Sequence, residues 1–105
     1  MAERIAFRMN LNPGQAEEYR RRHEAIFPEL VVALKDAGIS DYTIWLDPQS
    51  NALFGTLVRA EGHTMDELPN LPVMQRWWAH MSDIMQTHED NVPVQVQLLR
   101  MFSLA

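Results

Sequence analysis

The strongest constraint on this chain is the order in which its apolar residues change their spacing. From Arg4 to Leu11 they alternate, with Ile5, Phe7, Met9 and Leu11 on one side and Arg4, Arg8 and Asn10 on the other, the mark of a strand with one buried face. Asn12-Pro13-Gly14-Gln15 then places a capping residue before proline at a first helical position, with Gln three residues after the cap, which predicts a helix start. Ala16, Tyr19, Ile26, Leu30 and Leu34 continue at helical spacing, and Gly38 is placed to stop the helix. Pro28 lacks an N–H and crowds the carbonyl of Glu24, so a kink or break is expected near Ala25 to Phe27.

Tyr42 to Leu46 is rich in strand formers, Asp47-Pro48-Gln49-Ser50-Asn51 is turn-forming, and Ala52 to Arg59 reads as a second strand, together an antiparallel hairpin. After a stretch punctuated by Gly, Pro and Asn, Met74, Trp77, Trp78, Met81 and Met85 recover the helical period, predicting a helix from Val73 to about Met85. Val94, Val96, Leu98 and Phe102 mark a last strand. The order βαββαβ normally folds as a four-stranded antiparallel sheet with helices on one face, an α+β, ferredoxin-like domain. With 105 residues there is room for one such domain, residues 1–105, and not for two. Two helices cover one sheet face only, so a dimer through sheet or strand edges is expected.

Composition excludes several classes of function. The chain has no cysteine, hence no disulfide scaffold, thiol nucleophile or thiolate metal site. Nine Lys and Arg against fourteen Asp and Glu give a net charge of −5, opposite to a nucleic-acid-binding footprint. No apolar run approaches a membrane span and the N-terminal residues lack signal-peptide order, so no membrane partner and a cytoplasmic location are expected. Glycine-rich phosphate loops, a GxSxG elbow, locally paired carboxylates and metal-ligand histidine spacings are absent, so no metal is expected. The seven methionines read as filler between helix and sheet.

Two clusters are able to carry chemistry. Tyr19 and His23 are four residues apart, about 40° around a helix, and so lie one above the other on the face that carries Leu30 and Leu34. A histidine there is either a core residue satisfied by a backbone carbonyl or a partly desolvated imidazole poised to exchange a proton. Arg20, Arg21 and Arg22 read as a solvated face, with Arg22 a neighbour of His23 in sequence only. Trp77 and Trp78 point about 100° apart, so at least one lines an edge. There they either fill the gap over the sheet or offer a sugar ring a broad apolar wall with an N–H donor. Tyr42 shares a pleat face with Ile44 and can join Tyr19 and His23 if that face looks toward the helices.

Glu18-Tyr19, Arg22-His23, Pro28-Glu29-Leu30, Tyr42, Leu46-Asp47 and Gln75-Arg76-Trp77-Trp78 together closely resemble the L-rhamnose mutarotase family, over nearly the whole chain. The resemblance implies a homodimeric, cofactor-free enzyme that interconverts the α and β anomers of L-rhamnopyranose. It implies that His23 takes the place of the family's proton donor, and that Tyr19, Tyr42, Trp77 and Trp78 take the places of its substrate contacts. Phe27 stands where a Trp is expected in many relatives, which alters one side of the pocket. Two other readings keep the same fold: a haem-degrading or cofactor-free monooxygenase, and a module that holds a sugar without converting it.

Overall fold

A computed structural model describes residues 1–105. Strand β1 (Glu3–Asn10) lies between β3 (Ala52–Arg59) and β4 (Val96–Gln97), and β2 (Ile39–Asp47) pairs with the far edge of β3, giving an antiparallel sheet of order β2-β3-β1-β4. Helices α1 (Ala16–Glu24), α2 (Pro28–Asp36) and α3 (Pro72–Met81) and a short 3₁₀ helix (Met65–Asn70) complete the α+β fold expected from the sequence. None of these helices is long and apolar enough to cross a membrane.

The alternation in β1 is realised as written: Phe7 and Met9 are buried and stand opposite Gly55 and Leu53 of β3. Leu30 of α2 and Trp77 and Met81 of α3 close over this face, with Leu57, Ile84 and Met85 completing the core. Gly55 is dictated by close approach, since a Cβ there would stand 2.5 Å from the Phe7 ring. Gly38 follows α2 at φ +89°, a left-handed setting that ends the helix.

Three boundaries depart from the sequence expectation. Asn12-Pro13-Gly14 forms a turn and α1 begins at Ala16; the Asn12 side chain donates to the Asp83 carbonyl at 3.3 Å instead of capping the helix. The break expected near Pro28 is, by contrast, realised: α1 ends at Glu24 and Pro28 starts α2 at its first position. Helix α3 ends at Met81, four residues early, because the chain from Ile84 to Gln86 turns to pair with β1's continuation, Leu11 opposite Met85. The last strand shrinks to Val96–Gln97: the Leu98 amide still donates to the Ala6 carbonyl, but Leu99, Met101, Phe102 and Leu104 have no ladder partner and are at least 80% exposed.

Strand β2 starts earlier than expected and contains a bulge between Ser40 and Thr43. Ile39 and Ile44 are five residues apart and in a regular strand would face opposite sides. The inserted residue brings both to the helix face, and Tyr42 with them. Asp41 takes the left-handed setting, φ +49°, and pairs with Arg4.

Candidate active site

All five residues singled out in the sequence, Tyr19, His23, Tyr42, Trp77 and Trp78, line one largely apolar cleft of about 1080 Å³ between the helices and the sheet. Three are in direct contact. The Tyr19 and His23 rings lie one turn apart on α1 with centroids 4.3 Å apart, and Trp77 of α3 meets the imidazole edge to face at 5.2 Å. Phe27, in the link between α1 and α2, packs edge to face with Trp77 at 5.0 Å. Tyr42 approaches from the sheet and touches Phe7 at 6.1 Å. Trp78 lines the cleft half-buried, without a ring partner.

Trp77 satisfies both readings of the tryptophan pair, since it is a core residue, 6% exposed, and also a wall of the cleft. His23 does the same. Its Nδ1 lies 2.9 Å from the Tyr19 carbonyl oxygen. A carbonyl only accepts, so Nδ1 carries the hydrogen, and in the neutral imidazole Nε2 keeps a bare lone pair. Burial lowers the imidazole pKa from its ordinary 6.5, and the Tyr19 carbonyl, which favours the charged form, offsets this only in part.

The phenols are displaced the other way. Burial, with a smaller contribution from the neighbouring Tyr42 phenol, raises Tyr19 well above the usual tyrosine range. Tyr42, although its surface is 39% exposed, has its hydroxyl desolvated and pushed up to about 12. Neither hydroxyl makes a hydrogen bond within the chain. At neutral pH the polar groups among these residues are therefore uncharged: two free O–H groups, one bare imidazole nitrogen and indole faces. That set suits a neutral ligand rich in hydroxyls.

Arg22 departs from the sequence expectation of a solvated face. Its side chain is only 12% exposed, and its guanidinium reaches Glu18 on its own helix and Asp83 beyond α3, at 2.7 Å each. The Glu18-to-Arg22 spacing of four, with the acid first, was the signal available in the sequence. Arg21 and Arg22 hold the Glu18 carboxyl down to about 2. His80 is exposed, yet its ring rests against Phe27 and Trp77 at 5.5 and 5.6 Å.

Comparison with known proteins bears on the whole chain. The family model for L-rhamnose mutarotase matches residues 4–104. An L-rhamnose mutarotase of Sinorhizobium fredii is 62% identical over 103 residues, covering 98% of this chain and 99% of its own. One of Mesorhizobium japonicum is 56% identical over 105 residues, with both chains covered completely. The crystal structure of an L-rhamnose mutarotase from Formosa agariphila superposes with a TM-score of 0.91 at 40% identity, covering 98% of this chain and 99% of that one. A putative antibiotic biosynthesis monooxygenase from Bacteriodes thetaiotaomicron also superposes, with a TM-score of 0.59 over 96% of this chain and 90% of its own, but at 13% identity it shares the fold alone. With sequence likeness running from end to end and one backbone path in common, the chain belongs to the L-rhamnose mutarotase family.

Proposed function

We propose that this chain interconverts the α and β anomers of L-rhamnopyranose, with His23 as the proton-transfer group. The observation that carries the reading is the bare Nε2 of a neutral imidazole set beside the uncharged hydroxyls of Tyr19 and Tyr42 in a largely apolar cleft. Opening a hemiacetal requires the proton of the anomeric hydroxyl to leave and the ring oxygen to gain one. Neutral His23 first accepts the hydroxyl proton at Nε2 and, as imidazolium, delivers a proton from Nε2 to the ring oxygen as the bond from that oxygen to the anomeric carbon breaks. It is thus a proton donor only after it has been a base. The open aldehyde rotates about its bond to the next carbon, and the same two transfers in reverse close the ring on the other face.

Both oxygens are bonded to the anomeric carbon, so one nitrogen can serve each in turn with little movement of the sugar. The hydroxyls of Tyr19 and Tyr42 remain protonated and donate hydrogen bonds to sugar oxygens, while Trp77 and Trp78 supply apolar wall for ring carbons and methyl group. One placed acid–base group is worth roughly 10²–10⁴-fold, which is useful for a reaction that also proceeds spontaneously in water. No cofactor is required by these steps.

The active form is read as a homodimer. Trp45 on the outer sheet face is 64% exposed, and the side chains of Leu99, Met101, Phe102 and Leu104 in the tail are at least 80% exposed. A second copy is the economical cover for both. A sedimentation result of stable monomer at micromolar concentration contradicts that part of the reading.

Saturation-transfer NMR between the two anomeric protons of L-rhamnose tests the activity. Catalytic amounts of the chain are expected to speed exchange; a rate unchanged from buffer alone would mean a binder and not a mutarotase.

A further inference from the structure

We propose that Arg22 is a positioning residue of this site: its guanidinium fastens α1 to the C-terminal end of α3 and thereby fixes the His23 imidazole against Trp77. The inference rests on the reading of His23 given above and assigns it a support. Arg22 uses four of its five N–H donors. Nε donates to Glu18 at 2.7 Å, Nη1 to the His80 carbonyl at 2.6 Å and to Asp83 at 2.7 Å, and Nη2 to the second Asp83 oxygen at 3.2 Å.

The bidentate grip on Asp83 is directional as well as attractive, because two parallel bonds fix the plane of the guanidinium. The His80 carbonyl lies in the last turn of α3, where no backbone N–H donates to it and where the helix dipole favours a cation. His80 is one turn beyond Trp77, so the clamp holds the part of α3 that presents the indole to His23.

A clamp is needed because α1 has no buried residue. Apolar packing alone leaves such a helix free to roll about its axis. Residues 22 and 23 project about 100° apart, so anchoring Arg22 to one side sets the angle at which His23 enters the cleft. Arg21 provides the contrast. It binds the same Glu18 at 2.5 Å, is 68% exposed, and reaches nothing beyond α1.

The test compares Arg22→Met, Arg22→Lys, Asp83→Asn and Arg21→Met with the wild-type chain, by anomer-exchange kinetics and by the Hε1 resonance of His23, which the Trp77 ring current displaces. Arg22→Met is expected to lower kcat by about 10- to 100-fold with KM within about threefold, in line with the cost of an ångström-scale misplacement. Its Hε1 resonance should move toward the value of a histidine free of Trp77. Asp83→Asn should show the same changes to a smaller degree, Arg22→Lys should recover part of the loss, and Arg21→Met should leave both readouts alone.

Asp83 is 67% exposed and lies outside the helices, so Asp83→Asn carries the test should Arg22→Met fail to fold. Variants at 22 and 83 that lose melting temperature but keep wild-type kcat and an unmoved Hε1 resonance overturn the proposal, as does an Arg21→Met as impaired as Arg22→Met. The Hε1 readout needs no turnover. It decides on the clamp even where wild-type exchange stays at its uncatalysed rate, the result that would instead sink the functional reading.

Discussion

Helices α1 and α2 are nine residues each and nearly continuous in sequence, yet they are held in opposite ways. Helix α2 carries Leu30, Val31, Val32 and Leu34, and Leu30 is 1% exposed in the centre of the core. Helix α1 has six charged residues, a tyrosine and a histidine, and buries none of them fully. The break at Pro28 separates the two tasks: α2 anchors the layer to the sheet, and α1 stays at the rim of the cleft, where its side chains can reach a ligand. A helix that must keep polar groups near substrate cannot be secured by an apolar stripe. Ion pairs and stacked rings take over that duty, through Arg22 on one side and Tyr19, His23 and Trp77 on the other.

Substitutions on the two helices should therefore fail differently. His23→Ala on α1 is expected to lower the exchange rate by roughly 10²-fold or more while circular dichroism and melting temperature stay near wild type. Leu30→Ala on α2 should cost about 2–5 kcal/mol in chemical denaturation while the folded fraction keeps its kcat. A Leu30 variant of normal stability and poor kcat would erase the division between anchoring and working helices. Trp78→Ala, in the half-buried wall, should raise KM by about tenfold, on the order of 1.4 kcal/mol of lost contact, with kcat little changed.

The smallest effect is that of pH on stability. Burial lowers the folded pKa of His23 below its unfolded value of 6.5, so the unfolded chain takes up the proton first. The stability held in the neutral imidazole is complete above pH 6.5 and is lost as pH falls from there to the folded pKa. Glu18 and Asp83 are lowered by Arg21 and Arg22, and by Arg22, respectively, so their contributions persist to lower pH and fade only below about 4.5 and 3.8, their ordinary values. Denaturation midpoints measured across this range should show the mild loss first and the failure of the ion pairs later; His23→Gln should remove only the first.

Much of this was legible in the residues. The alternation in β1, the hairpin around Asp47 to Asn51, the break at Pro28 and the stop at Gly38 are local signals, and each was realised. The convergence of Tyr19, His23, Tyr42, Trp77 and Trp78 followed from helical spacing, pleat phase and the family resemblance taken together. What escaped depends on partners distant in sequence. Asn12 had the look of a cap but spends its amide on Asp83, and Met85 kept the helical phase but was drawn into pairing with Leu11. Arg22 read as solvent-facing because Asp83 and the His80 carbonyl lie about sixty residues away. The bulge at Asp41 was hidden because strand composition becomes distinctive only at Tyr42, after the inserted residue.

In the proposed mechanism α1 presents a neutral His23 whose Nε2 moves the proton. This is tested most directly by titrating the His23 imidazole through its nitrogen–proton correlations while anomer exchange of L-rhamnose is followed in the same samples. A protonated Nδ1 and a bare Nε2 are expected at neutral pH, with exchange falling in step as Nε2 takes up a proton below pH 6.5. An Nε2 already protonated at neutral pH, or an exchange rate indifferent to that titration, would contradict this mechanism.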